Sequence, residues 1–425
     1  MKKVHVFTSA AFNYIPKVRL LFKSLRKHHP EWVLHLALAD EFSSEIDLSA
    51  EPFDHILLID AMGISNWRGW AFCHTIVELA TAIKPFALMK LLRREDCEKV
   101  LYMDPDTVAF SRLDDVLQAL DEANIVLTPH LVLPESSLDA VMDNEISCLR
   151  HGVYNLGFIG VCSNDIGLAF ADWWAQRIYH FCRADIPNGL FTDQRWIDLV
   201  PAFFEGVGIM RTPRLNVAPW NLTTRFLEGS MLDGITVDGQ PLGFYHFTGF
   251  DSGAHRVMAS KYGCGNSSVR ELVEWYVTET GSLVSDPLSS KPWAFGNFSD
   301  GHPILPEQRL IYRERVDLQN AFPEPFSSTQ NGNSYQNWYK TQAPLEYPEL
   351  FNPQTKATEI RRISSVLSPG YMYGVVVERS RRPLLWKHLT NATRSSYEFQ
   401  RLADRAWEIL RTEGVNGIRK RFAKK

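Results

Sequence analysis

A chain of 425 residues that is 45% hydrophobic and 12% aromatic carries enough apolar mass for at least one large core and, as a soft prior, roughly two or three domains, which argues against a disordered chain. No stretch approaches the ~18 consecutive apolar residues that a membrane-spanning helix needs. The net charge of -4 is unevenly split: residues 351–425 hold 16 Lys and Arg against 6 Asp and Glu, a surplus of +10, which leaves -14 for residues 1–350. The two parts face different partners.

The first residues, Met1 to Lys3 and then Val4 to Ala11, have the outline of a signal peptide. His5, Thr8, Ser9 and Asn13 interrupt its apolar region and no small-residue cleavage site follows, so the segment reads as a first strand. Residues 3–8, 32–39, 54–59 and 99–103 are short β-rich runs, separated by helical patterns at 15–29 and 72–95. That alternation predicts an α/β fold with a parallel-type sheet. Ligands of such sheets bind beyond the carboxyl ends of the strands, which groups Thr8, Ser9, Asp40 and Asp104 around one crevice.

Apolar runs at 124–128, 156–162, 207–211 and 243–247 alternate with helical stretches at 165–183, 192–200 and 267–280, so a first domain is predicted over 1–280. From 281 to 355 the density of Pro, Ser, Asn and Gly predicts irregular chain packed on or near that domain. Residues 356–425 read as a basic helical extension, with Phe399, Leu402, Ala406, Ile409 and Leu410 on one side of a helix from Ser395 to Arg411. Its Lys and Arg, interleaved with Trp407 and Phe422, suit an anionic membrane surface as well as a solvated helix cap. The acidic body and the absence of an aromatic stacking pattern argue against nucleic acid. Six cysteines spread singly, without a C-x-x-C pair, indicate reduced thiols in a cytoplasm rather than a zinc site or a disulfide framework.

The strand Lys99–Met103 ends in Asp104-Pro105-Asp106. On an extended backbone an i, i+2 spacing points two carboxylates to the same side, where they can share one divalent ion. Oxygen ligands suit Mg²⁺ or Mn²⁺, either of which neutralises a diphosphate leaving group. Alone, two aspartates after a buried strand are more often turn formers than metal ligands. Their neighbours in the chain give them meaning. Tyr154-Asn155-Leu-Gly157-Phe158, Thr192-Asp193-Gln194, Asn216-Val-Ala-Pro-Trp-Asn221 and Tyr245-His246-Phe-Thr-Gly249 follow in order.

These five motifs together resemble the GT-A glycosyltransferases, whose Rossmann-like domain takes nucleoside diphosphate sugars, and most closely the retaining enzymes of glycosyltransferase family 8. The resemblance runs from Val4 to about Asp251. It implies that His246 completes a metal site with Asp104 and Asp106, filled by Mn²⁺ or Mg²⁺. It also implies that Asp193 bonds donor sugar hydroxyls, that Gln194 lies near the anomeric carbon, and that Asn155 contacts the sugar. Gly157 would let the backbone approach the donor. Thr8, Ser9, Asn13 and Tyr14 would face the nucleotide, with Gly249 in the phosphate turn and Lys84 the nearest match to a basic residue that meets the diphosphate.

Two departures from the family stand out. Relatives end the first strand with an Asp that helps read uracil, where this chain has Thr8 to Tyr14. The family's H-x-x-G-x-x-K-P-W is cut short after Gly249, so Arg256 or Lys261 would have to supply the cation; Lys291-Pro-Trp293 comes too late in the chain for the same turn. The expected reaction is transfer of a hexose-type sugar from a UDP-sugar or similar donor to a glycan or lipid-linked oligosaccharide, in the cytoplasm or at the inner face of its membrane, with retention of configuration. An inverting enzyme is the first alternative and would need a base, with Asp251 and Glu78 as candidates. A nucleotidyltransferase-like or nucleotide-sugar-binding protein without transfer activity is the other.

Overall fold

The computed structural model describes residues 2–43, 47–328 and 332–364. At its centre is a seven-stranded sheet in the order Val207–Ile209, β6 (Ile125–Pro129), β7 (Tyr154–Cys162), β4 (Cys97–Met103), β1 (Lys3–Ala10), β2 (Val33–Leu38), β3 (His55–Leu58). β1 pairs in parallel with both β2 and β4, and β2 with β3. The predicted α/β class therefore holds. The run 156–162 departs from a purely parallel sheet, because β7 lies antiparallel between β4 and β6.

Both faces are covered, and the strands alternate accordingly: Val100 and Tyr102 of β4 enter one core, Leu101 and Met103 the other. Chain order reverses at β1, which has β2 on one side and β4 on the other. A crevice opens at such a switch point, beyond the carboxyl ends of the two strands. Helix α1 (Ile15–His28) follows β1 and buries Ile15, Val18, Leu21, Phe22 and Leu25, spaced three and four apart along one stripe.

The helical pattern expected over 72–95 is broken into α2 (Trp67–Phe72), α3 (Ile76–Ala82) and α4 (Lys84–Leu92). Thr75 and Glu78 form a reciprocal capping box that starts α3. Pro85, which has no N–H to continue a ladder, starts α4. The break matters because it turns Lys84 inward.

The stretch 281–355, expected to be irregular, carries helices at Pro306–Glu314, Val316–Ala321, Tyr335–Thr341 and Ala343–Glu346. Two of them begin with proline in the first turn, where a missing N–H costs nothing. Phe295, Phe298, Tyr312, Phe326 and Tyr335 join one core with Phe72 and Leu88. Lys291-Pro-Trp293, remote in sequence, docks on the crevice end of β2: Trp293 Nε1 donates to Ala39 O at 2.9 Å, and Ala294 N to Asp40 Oδ1 at 2.9 Å. Lys356–Ser364 is helical, whereas the expected helix 395–411 and the tail to 425 lie outside the described residues. Among the described residues no helix is long and apolar enough to cross a membrane.

At the opposite end of the sheet, three histidines line up across β1, β2 and β3. His5 Nδ1 lies 2.8 Å from His35 Nε2, and the His35 and His55 rings stack at 5.1 Å. Burial lowers the pKa of His5, and lowers that of His35 to about 3, with the neighbouring histidines adding to the effect at His35. Both therefore fold neutral, and the unfolded chain binds their protons first as pH falls. Their contribution is complete above the unfolded pKa near 6.5 and is lost progressively below it, with His35 alone costing on the order of 3 kcal/mol by pH 4. Urea midpoints at pH 7, 5.5 and 4 should fall steeply, and less steeply in a His35→Phe variant; parallel falls would dismiss this cause.

Candidate metal and donor site

Asp104-Pro105-Asp106-Thr107 is a β-turn: Thr107 N donates to Asp104 O at 3.0 Å, and Thr107 Oγ1 to the same oxygen at 2.7 Å. Asp first and Pro second is a favoured order for such a turn. The two carboxylates are therefore gathered by a turn at the sheet edge, and not by the extended i, i+2 geometry expected from the spacing. After the turn, β5 (Thr107–Ala109) pairs antiparallel with Phe244–His246, and that register sets His246 opposite Thr107. Phe247 N then donates to Asp106 O at 2.9 Å.

One result is a compact cluster of Asp104, Asp106 and His246, whose ligand-type atoms all lie within 4.8 Å of one another. His246 Nε2 is 3.2 Å from Asp106 Oδ1 and 3.7 Å from Asp104 Oδ2. Its Nδ1 is 3.2 Å from Asn216 Oδ1. An amide oxygen can only accept, so the Nδ1 proton is fixed and Nε2 faces the carboxylates, as a metal-binding imidazole requires. Burial opposes protonation of His246, but Asp106 and then Asp104 outweigh it and raise its pKa. Burial would raise Asp106, yet His246 lowers it.

Asn216, at φ 53, also donates to Thr128 Oγ1 and to Asn155 Oδ1, both at 2.9 Å. Asn155 Oδ1 accepts from Gly157 N at 2.8 Å and its Nδ2 meets His130 Nε2 at 3.0 Å. Asn155 is thus fully engaged behind the imidazole. A Cβ on Gly157 would lie 2.4 Å from His246 Cε1 and 2.6 Å from Asn155 Oδ1, so the glycine makes room for the histidine ring. Gly157→Ala should weaken Mn²⁺ binding about 10- to 100-fold, the range for a disturbed supporting shell. Calorimetry measures this, and an unchanged affinity would refute the packing account.

On the other side of Asp104, the Lys84 ammonium sits 3.2 Å from Asp104 Oδ1 and 3.2 Å from Asp193 Oδ2, and 4.3 Å over the Tyr102 ring. It is buried, and its pKa lies well above the usual lysine value because Asp104 and Asp193 outweigh the burial that opposes its charge. Asp193 is pushed up by burial, with Lys84 working against the shift. Tyr102 OH donates to Asp104 and lies 3.3 Å from Ser9 Oγ. Gln194 spends both ends of its amide on backbone, accepting from Leu156 N and donating to His151 O, each at 3.0 Å. It braces the floor beneath Asn155.

Thr8 is buried and its hydroxyl has no hydrogen-bond partner among the described residues. Asn13 and Tyr14 are half-buried in the turn from β1 to α1. Tyr14 OH donates to Asp251 Oδ2 at 3.1 Å, and Lys17 forms an ion pair with the same carboxylate. Gly249 takes φ +68 at the turn after His246. Arg256 is exposed and joins no ion pair among the described residues, whereas Lys261 is paired with Asp143. Glu78 is occupied by its capping box. Sequence reasoning missed Asn216 as the partner of His246, and missed Tyr102 and Lys17. Asn216 and Tyr102 lay inside motifs that could have pointed to them; Lys17 did not.

No family model matches the sequence. Two proteins of Bacillus subtilis (strain 168) are similar to it: the uncharacterized protein YfnD, 26% identical over 257 residues, which are 59% of this chain and 79% of YfnD, and the uncharacterized protein YfnF, 27% identical over 256 residues, 57% of this chain and 82% of YfnF. Among solved structures, the galactosyltransferase LgtC in complex with donor and acceptor sugar analogs is 18% identical, covering 67% of this chain and 97% of LgtC at a TM-score of 0.40. The apo-form glycosyltransferase GlyE of Streptococcus pneumoniae TIGR4 is 17% identical, covering 65% of this chain and 64% of GlyE at a TM-score of 0.36.

Proposed function

We propose that the chain is a metal-dependent glycosyltransferase of GT-A type, nearest to family 8, which moves a hexose-type sugar from a nucleoside diphosphate, a UDP-sugar in the first instance, to a glycan or lipid-linked glycan acceptor. One observation carries the reading: two carboxylates and an imidazole of fixed tautomer converge at the switch point of the sheet. The donor set fits Mn²⁺ or Mg²⁺, with Asp104, Asp106 and His246 as its holders. When bound, the ion would neutralise charge on a diphosphate leaving group.

The remaining residues hold and orient. Lys84 stands between Asp104 and Asp193 as a shared counter-charge, so that Asp193 is placed to accept hydrogen bonds from hydroxyls of the sugar. Asn155 and Gln194 fix the floor under the reacting carbon. In the proposed transfer the bond from the anomeric carbon to the diphosphate oxygen breaks, the bond to the acceptor oxygen forms, and the acceptor's proton leaves with the diphosphate. Retention is the first reading because Glu78, one of the two carboxylates weighed as an inverting base, is committed to its helix cap.

Thermal shift with UDP-, GDP-, CDP- and dTDP-sugars, with and without Mn²⁺, tests the donor half. Stabilisation by one donor that requires the ion supports the reading. No shift with any of the four sinks it. The anomeric configuration of the product, read by NMR, separates retention from inversion.

A further inference from the structure

We propose that Lys17, in the first turn of α1, is the cation that binds the donor diphosphate, and that Asp251 is its resting counter-ion. The inference rests on the donor reading given above. Lys17 is a costly residue where it stands: the first turn of a helix carries partial positive charge, and that of α1 contains no acidic residue to offset it. Its side chain is only 16% exposed, and it lies 4.5 Å over the ring of Tyr14.

Its one described ion pair is with Asp251, which belongs to the turn that carries His246 and Gly249. That turn is fastened to the metal-type cluster through Phe247 N and Asp106 O. The ammonium thus reaches the mouth of the site from the β1 side, while Lys84 lies on the side of Asp104. One further detail supports its position. Tyr14, beside Lys17, is raised by burial first and then by the charges of both Asp106 and Asp251.

Asp251 is 60% exposed. A pair with one solvated partner is worth little in water, so a diphosphate with several negative oxygens in a less solvated site competes well for the ammonium. Of the two cations expected further along the chain, Lys261 is paired with Asp143, and Arg256 is exposed, where water screens its charge. Lys17 supplies from α1 the charge that the shortened turn after Gly249 does not.

The test is calorimetry of UDP, GDP, CDP and dTDP in the presence of Mn²⁺, on the full chain and on Lys17→Met, Lys17→Arg and Asp251→Asn variants, with circular dichroism to confirm their fold. Loss of a charge-assisted contact should raise the Kd of the bound diphosphate about tenfold or more in Lys17→Met, Lys17→Arg should recover most of it, and Asp251→Asn should bind more tightly than the parent. A folded Lys17→Met variant that binds as the parent does overturns the proposal. So does weakening by Asp251→Asn to the same extent as by Lys17→Met, which would make the pair a structural clasp. Failure of the parent chain to bind any of the four nucleotides overturns the donor reading itself.

Discussion

Asp106→Asn should lower the proposed transfer to about a thousandth of the parent rate or less, on the order of 4 kcal/mol of transition-state stabilisation, while leaving the fold nearly as stable. The side chain is nearly isosteric and can keep a contact with His246, so nothing in the packing changes. What disappears is one of two adjacent carboxylates whose mutual repulsion His246 and Lys84 offset in the ion-free site. Thermal unfolding without metal should be within a few degrees of the parent or higher. The second signature is the ion itself: Mn²⁺ stabilises the parent and no longer stabilises the variant. Parent-like turnover in Asp106→Asn, or parent turnover that survives a chelator, would falsify the metal assignment.

Much of this site was legible in the sequence because it rests on local chemistry. Alternating apolar runs located the strands, and Asp104-Pro105-Asp106 announced the end of β4, although its carboxylates meet through a β-turn. His246 was legible only through its spacing to Gly249. What brings it to Asp106 is the antiparallel register of Phe244–His246 with β5, formed across more than 130 residues of chain. Asn216 and Lys17 contact the cluster or its turn from separate elements, and no spacing in one chain encodes such meetings; Tyr102, two residues before Asp104 on β4, was close enough in the chain to be found. Gly157 was read as letting the backbone approach the donor; a side chain there would also meet the His246 ring, a contact no spacing announced. Lys84, matched by resemblance to a cation that meets the diphosphate, is turned by the break before α4 to lie between two carboxylates.

The C-terminal part is where composition misled, and it yields the other large effect: a chain ended at residue 280 should fail to form a stable fold. Proline and asparagine suggested irregular chain beyond that point, but those prolines start helices, and the aromatic residues between them are core. Phe72 of α2 has the rings of Phe298, Tyr312, Phe326 and Tyr335 around it at 5.9, 5.0, 5.0 and 5.3 Å. Arg309 reaches across to donate to Phe72 O at 3.1 Å and also donates to Phe295 O. Truncation uncovers that whole face. Each large apolar side chain is worth roughly 1.5–3 kcal/mol when buried, so uncovering the several that line Phe72 rivals the about 5–15 kcal/mol that holds a typical domain together. It also removes Ala294, which donates to Asp40, and Asp286, the partner of Arg19. Both anchor the segments that flank β1 and β2, on which the crevice is built. The 1–280 fragment is expected to be insoluble or to unfold without a cooperative transition. A soluble 1–280 fragment with a cooperative melt and parent-like Mn²⁺ affinity would show instead that residues 281–364 are an accessory to the sheet, and that the boundary suggested by composition is a true domain edge.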